Sequence, residues 1–155
     1  MPSMGEDSSI ASSFADQATR EFKKKIRWKI TLLYQIVRSG VNLLYMDCDV
    51  VLLKNPFPYL YSVKGYDMMA QRDGHTICTG FMYFVSSPST VTLLKQANMY
   101  VQHLMMDDQD AVNRAVKDRK TPFLFLPSDR FPSGGEFFAR HQLAWDLKGR
   151  LSLLP

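Results

Sequence analysis

The chain has 155 residues, which is the size of a single domain with a sizeable core. With 46% hydrophobic and 22% charged residues, it cannot be a wholly disordered or collagen-like chain. The formal net charge of +4 favours an anionic ligand, but it is too weak for a typical nucleic-acid-binding protein, so we expect no nucleic-acid partner. Two cysteines, Cys48 and Cys78, could form one bridge but not a disulfide framework.

The predicted elements alternate between helices and buried strands. Residues 1–13 are rich in serine and predict a flexible leader before a domain over 14–155. Apolar residues at three- and four-residue spacing predict a helix over 14–38. The later segments predict strands over 41–46, 66–71, 80–85 and 121–127, helices over 88–105 and 109–116, and an aromatic turn over 131–138. This alternation predicts an α/β sandwich with a largely parallel sheet.

Two carboxylates one residue apart, Asp47 and Asp49, directly follow the first predicted strand. They would lie at the carboxyl end of that strand, where open α/β sheets bind ligands. Two unpaired buried anions are unfavourable, so the pair needs compensating charge. A Mg²⁺ or Mn²⁺ ion suits oxygen ligands and also accepts diphosphate oxygens. The alternative is a loop with two solvated acids, or acids paired with a nearby Lys or Arg.

Two kinds of enzyme use Asp-x-Asp after a buried strand. In metal-assisted transfer from a nucleotide sugar, the metal holds the leaving diphosphate. In haloacid-dehalogenase-like phosphatases, Asp47 would be the nucleophile and Asp49 a general acid. The position of the pair after a long helix weighs against the phosphatase, as does the helical segment that precedes the acids at 107–110. A third alternative is a non-catalytic sugar-nucleotide-binding module.

Five blocks of sequence, in order between about residues 14 and 140, resemble the nucleotide-diphospho-sugar transferase family, which includes plant cell-wall xylosyl- and arabinosyltransferases. The matching residues are Lys29, the stretch 40–57 with the acid pair, Asp67 and Asp73, the segment Cys78-Thr79-Gly80, the group Asp108, Gln109 and Asn113, and the stretch 131–134. Asp-x-Asp alone is weak evidence, whereas five blocks in the right order are a specific signal.

The resemblance implies a partial type-A (Rossmann-like) glycosyltransferase fold and a retaining, metal-dependent transfer to a glycan or glycoprotein hydroxyl. It also implies a Golgi-lumen location behind a membrane anchor. By position, it assigns Mn²⁺ or Mg²⁺ and the donor diphosphate to Asp47 and Asp49. It assigns further donor contacts to Lys29, Thr79 and Gly80, the reacting sugar to Asp108 and Gln109, and a third metal ligand to His141.

Each of these residues also has a purely structural interpretation. Lys29 could pair with an exposed acid, Asp108 could be a helix N-cap, and His141 could be a surface residue. Thr79 and Gly80 could simply begin a strand. Cys78 stands where the family usually has Asn, which bears on donor-sugar specificity. Because type-A folds begin with base-binding strands that residues 1–13 could not form, the resemblance predicts a fragment that lacks those strands and part of its acceptor side. Whether these residues transfer a sugar by themselves is left open at this point.

Overall fold

The structure is a computed structural model that describes residues 21, 24–140, 143–145 and 151–153. The predicted leader and His141 lie outside these residues. The described elements are a helix α1 over residues 24–38, β1 (Leu43–Met46), α2 (Phe57–Ser62), β2 (Met68–Asp73), β3 (Thr76–Phe84), α3 (Pro88–His103), α4 (Asp108–Arg119), β4 (Phe123–Phe125), α5 (Gly134–Arg140), β5 (Leu143–Trp145) and β6 (Leu151–Leu153). No helix in this part of the chain is long and apolar enough to cross a membrane.

The four-stranded sheet has the order β1-β3-β2-β4, and a separate hairpin joins β5 and β6. In the larger sheet, β3 is antiparallel to both β1 and β2, and only β2 and β4 pair in parallel. The α/β class is confirmed, but the prediction of a largely parallel sheet is wrong. The reason is the two-residue turn Gly74-His75, in which Gly74 has φ +56, because so short a connection permits only an antiparallel hairpin.

Helices cover one face of the sheet and a smaller apolar cluster covers the other. Residues of α1, α3 and α4 pack on the face that carries Met82 and Phe84 of β3. The alternate residues of the same strand, Phe81 and Tyr83, pack with Leu60 of α2 on the opposite face. All four of these side chains are buried, so the aromatic run of β3 belongs to the core.

The predicted turn over 131–138 is in part a helix. The backbone N–H of Ser133 donates to Glu136 Oε2 at 2.9 Å, and the N–H of Glu136 donates to Ser133 Oγ at 3.2 Å. This reciprocal pair is a capping box, and the pattern Ser-x-x-Glu is its sequence signature. Two glycines lie between Ser133 and Glu136, and because glycine disfavours helices they led to the prediction of a turn. Helix α5 begins directly after Ser133.

Candidate functional site

The predicted site residues meet at one edge of the four-stranded sheet. Strands β1, β2 and β4 end at this edge and β3 begins there, because β3 runs opposite to its two neighbours. Asp47 follows the end of β1, and Thr79 and Gly80 lie in the first half of β3. Helix α1 contributes Lys29, and the first turn of α4 contributes Asp108. The antiparallel β3 therefore brings distant sequence blocks together.

Lys29 is the centre of this group. Its Nζ lies 2.7 Å from Asp108 Oδ2 and 3.3 Å from Asp47 Oδ1, and the ammonium also lies 4.7 Å from the centroid of the Tyr45 ring. The Lys29 side chain is only 13% exposed. Lys29 therefore does more than pair with an exposed acid: the side chain of Asp47 is 39% exposed, but that of its closer partner, Asp108, is only 15% exposed.

Asp108 does not cap helix α4; its side chain is an ionised carboxylate that contacts other site residues. Asp107 is the N-cap of α4, and its Oδ1 accepts from the N–H of Asp110 at 2.7 Å. Asp108 Oδ2 instead accepts from Thr79 Oγ1 at 2.8 Å and from Lys29. Burial opposes ionisation of Asp108, but the Lys29 ammonium and the Thr79 hydroxyl outweigh it and hold the pKa of this carboxyl below its usual value.

Asp47 is fixed by a tyrosine that the sequence analysis assigned only to an apolar strand. Tyr45 Oη donates to Asp47 Oδ1 at 2.6 Å, and the Asp47 backbone N–H donates to the carbonyl of Gly80 at 2.8 Å. Burial, and then the hydrogen bond to Asp47, raise the pKa of Tyr45 far above its usual value, so the hydroxyl stays a donor. In the sequence, the only indication of this contact is a tyrosine two residues before Asp47, within an otherwise apolar strand.

A wide bulge in β3 carries Thr79 and Gly80 towards Asp47. Ala70 faces Met82 and Arg72 faces Ile77, so the single β2 residue 71 lies opposite the four β3 residues 78–81. Bulges of this kind often lie beside active sites, where they redirect side chains. Thr79 and Gly80 are therefore inside a strand rather than at its start.

Gly80 is required by close packing in this bulge. A Cβ at Gly80 would lie 3.2 Å from Asp47 Oδ2 and 3.4 Å from Cys78 Sγ. Any side chain there would push on the carboxylate of Asp47. Both cysteines are free, with Cys48 exposed and Cys78 half-buried, so the bridge left open by the sequence does not form in this structure.

The amides of Gln109 and Asn113 bind protein groups at this edge. Gln109 Nε2 donates to Asp73 Oδ2 at 3.0 Å and so joins α4 to the end of β2. Asn113 accepts from the N–H of Ile77 at 2.8 Å and donates to the Ile77 carbonyl at 3.0 Å. Its Nδ2 also lies 2.8 Å from the Gln109 carbonyl. Asn113 thus connects α4 to the residue directly before the bulge.

We expect replacement of Asn113 with Ala to lower the free energy of unfolding by about 2 kcal/mol, because it leaves the polar backbone groups of Ile77, a buried residue, without these partners. Chemical denaturation would measure this. The matched control is Asp110→Ala on the exposed side of the same helix, for which we expect a change within about 0.5 kcal/mol. Equal losses in the two variants would show that the Asn113 amide does not hold the bulge.

The donor atoms available for a metal ion are those of the acid pair. Asp49 is exposed, and the side chain of Asp47 is 39% exposed beside it. Within the described ranges, no group of three or more His, Cys, Asp and Glu side chains could hold a metal ion. Two carboxylates nevertheless suit Mg²⁺ or Mn²⁺, which commonly take one or two protein carboxylates together with water and substrate phosphates. His141 lies outside the described residues, so its assignment stays a prediction.

Fold and site together define an α/β domain of the Rossmann-like type whose carboxylates, lysine and glycine converge beside the end of a strand. A family model described as nucleotide-diphospho-sugar transferase matches residues 1–147. The chain belongs to this family.

Three relatives illustrate the similarity. UDP-D-xylose:L-fucose alpha-1,3-D-xylosyltransferase 1 of Arabidopsis thaliana is 27% identical over 93% of this chain and 47% of its own length. UDP-D-xylose:L-fucose alpha-1,3-D-xylosyltransferase 3 of the same plant is 30% identical over 76% of this chain and 38% of its own length. UDP-galactose:fucoside alpha-3-galactosyltransferase of Dictyostelium discoideum is 24% identical over 59% of this chain and 15% of its own length.

The chain therefore spans less than half the length of these curated relatives. No solved structure matches it significantly.

Proposed function

We propose that this chain forms the donor-binding and catalytic core of a metal-dependent glycosyltransferase. It would move a sugar from a nucleotide-diphospho-sugar to a hydroxyl of a glycan or glycoprotein, with retention of configuration. The convergence of Asp47 and Asp108 on Lys29, beside Gly80, carries the proposal. The names of the relatives favour a UDP-sugar as donor and a fucose-containing acceptor. Family membership favours this reaction over the phosphatase alternative.

In this proposal the residues divide into two groups around Lys29. Asp47 and Asp49 would hold Mn²⁺ or Mg²⁺, which supplies positive charge for the leaving diphosphate. Lys29 adds a second, fixed positive charge next to Asp47. Because a glycine occupies position 80, the donor and the backbone of the bulge can approach each other closely.

Asp108 and Gln109 would face the reacting sugar. The carboxylate of Asp108 stays ionised beside Lys29, so it is suited to stabilise positive charge that develops on the sugar. The mechanism needs no strong base beside this carboxylate. The leaving phosphate oxygen accepts the proton of the acceptor hydroxyl on the same face, which accounts for retention.

An assay of nucleotide release tests the proposal. The purified chain is incubated with Mn²⁺, a panel of UDP-sugars and an L-fucoside, and free UDP and glycosylated product are measured. We expect UDP release that requires both the metal ion and the acceptor. Metal-dependent UDP binding without release would favour the non-catalytic binding module. An aspartyl-phosphate trapped on Asp47 would favour the phosphatase.

Tyr45→Phe should weaken Mn²⁺-dependent UDP binding about tenfold, because groups that orient metal ligands have effects of this size. The variant removes only the hydroxyl that donates to Asp47 Oδ1, so the thermal unfolding midpoint should change little. Calorimetric titration of UDP in the presence of Mn²⁺ measures the affinity. Tyr66→Phe, at an exposed position away from the site, is the matched control and should bind as the original chain does. Equal UDP affinity in both variants would show that the Tyr45 hydroxyl does not orient Asp47 for metal binding.

A further inference from the structure

An open cleft of about 430 Å³ lies between α4, the β2–β3 turn and β4. It is distinct from the Lys29 group and takes no part in the mechanism proposed above. Three basic residues line it, His75, Lys117 and Lys120. The lining also includes the aromatic residues Phe123 and Phe125 and the buried residue Thr121. The combination is that of a binding site rather than of a simple packing defect.

The two charged side chains that line this cleft, those of Lys117 and Lys120, are both positive. No acidic residue lines it, and within the part of the chain described here His75, Lys117 and Lys120 form no ion pair. The nearest acids in sequence are engaged elsewhere, Asp73 by Gln109 and Asp118 by Tyr100 and Arg114.

The helix dipole does not explain all of this charge. Lysines at the end of α4 complement the partial negative charge of that helix terminus. His75, however, comes from the β2–β3 turn. In addition, the guanidinium of Arg72 in β2 lies 4.1 Å from the centroid of the Phe125 ring, which itself lines the cleft. Cations of α4 and β2 therefore lie in or beside the cleft, together with an imidazole from the β2–β3 turn, and an anionic ligand would complement them.

The remaining lining suits a sugar. Phe123 and Phe125 are half-buried and present ring surface on which the apolar face of a pyranose can pack. The hydroxyl of Thr121, a residue only 4% exposed, is buried and has no hydrogen-bond partner among the described residues. Buried hydroxyls in native proteins are nearly always paired, so this unpaired hydroxyl is an unusual feature of a residue that lines the cleft.

The cleft also adjoins the proposed catalytic site. Asn113 lines the cleft and contacts the carbonyl of Gln109, and Gln109 in turn contacts Asp73, two residues before His75. The cleft therefore begins within two turns of α4 from Asp108.

We infer that this cleft binds an anionic sugar unit of the acceptor glycan, one that carries a carboxylate or a sulfate or phosphate ester. The inference rests on the proposed function, since it places an acceptor subsite beside the transferase centre. The lysines, with His75, bind the anion, and the phenylalanines pack against the ring.

Direct glycan binding tests this subsite without any transfer reaction. Calorimetric titration of the whole chain at low salt compares a uronic-acid oligosaccharide, its carboxyl-reduced neutral counterpart and a sulfated oligosaccharide of equal length. The test variant is Lys117→Glu/Lys120→Glu. Its control is Lys64→Glu/Lys95→Glu, which makes the same change in net charge at exposed positions outside the cleft.

We expect the original chain and the control to bind at least one anionic oligosaccharide about tenfold more tightly than the neutral one, and the test variant to lose this preference. Preference for the uronic acid or for the sulfated glycan identifies which anion is recognised. Equal loss in test and control variants, or no preference in the original chain, overturns the inference.

Titration of UDP with Mn²⁺ on the same samples separates this subsite from the transferase proposal. Intact UDP binding without glycan binding contradicts the subsite alone. Glycan binding without UDP binding contradicts the transferase proposal, and leaves a cleft that binds anionic glycans.

Discussion

Replacement of either Asp47 or Asp49 with Asn is expected to abolish Mn²⁺-dependent binding of UDP, with a loss of at least about 100-fold in affinity. Asn keeps the size of the side chain but removes the anionic oxygens that Mn²⁺ and Mg²⁺ prefer. Calorimetric titration of UDP with and without Mn²⁺ measures the loss. Asp129→Asn removes an exposed acid elsewhere and should leave binding unchanged.

The two variants should differ in their effect on stability. Asp49 is exposed, so its replacement should change the free energy of unfolding by no more than about 0.5 kcal/mol. Asp47 contacts Lys29 and Tyr45, so its replacement should cost about 1 kcal/mol. If both variants bind UDP with Mn²⁺ as tightly as the original chain, the acid pair is not the metal site.

The second large effect is expected from Lys29→Met. The change leaves Asp108, which is 15% exposed, without its cation, and breaking a mostly buried pair in this way typically costs about 3 kcal/mol. We expect the variant to lose that much free energy of unfolding and also to lose UDP binding. Lys25→Met, at an exposed position on α1, should change neither.

A double variant separates the structural role of Lys29 from its role at the donor. Lys29→Met/Asp108→Asn removes the uncompensated charge as well as the lysine, so stability should largely return. UDP binding should stay lost, because the positive charge beside Asp47 is still missing. Recovery of UDP binding in the double variant would assign Lys29 a structural role alone.

The pH dependence of unfolding provides a further check on this pair. The pKa of Asp108 in the folded chain lies below its usual 3.8, so the pair stabilises the fold fully above pH 3.8. That stabilisation is lost as the pH falls through 3.8 towards the folded pKa. In Lys29→Met the ammonium that lowers the pKa of Asp108 is gone, while burial still opposes ionisation and the Thr79 hydroxyl still favours it, so stability should fall less on acidification than in the original chain. Denaturation at pH 7, 5, 4 and 3 would distinguish the two slopes.

Much of the chain follows from local sequence rules. The predicted strands and helices over 41–125 all have observed counterparts, because apolar periodicity reports which side chains a strand or helix buries. The start of α3 was also predictable, since Ser87 and Thr90 form a capping box and Pro88 opens the helix. The order of motifs likewise indicated the family to which the chain belongs.

The site was predictable as a set of residues but not as a network. Asp47, Thr79 and Asp108 stand in recognisable motifs. Nothing in the local sequence, however, indicates that Lys29 contacts both aspartates or that the Thr79 hydroxyl donates to Asp108. Tyr45 and Asn113 were missed as supports for the site, because each acts through a partner that lies outside its own helix or strand.

The amino-acid sequence by itself determined most of the helices and strands, the family and the residue types available for chemistry, because these depend on neighbours along the chain. Only the tertiary structure decided the strand directions, the wide bulge over 78–81 and the place of Lys29 between two carboxylates. The physical reason is that each of these depends on contacts between distant segments. The tight turn at Gly74-His75 reverses β3, and that reversal brings Thr79 and Gly80 to the acid that follows β1.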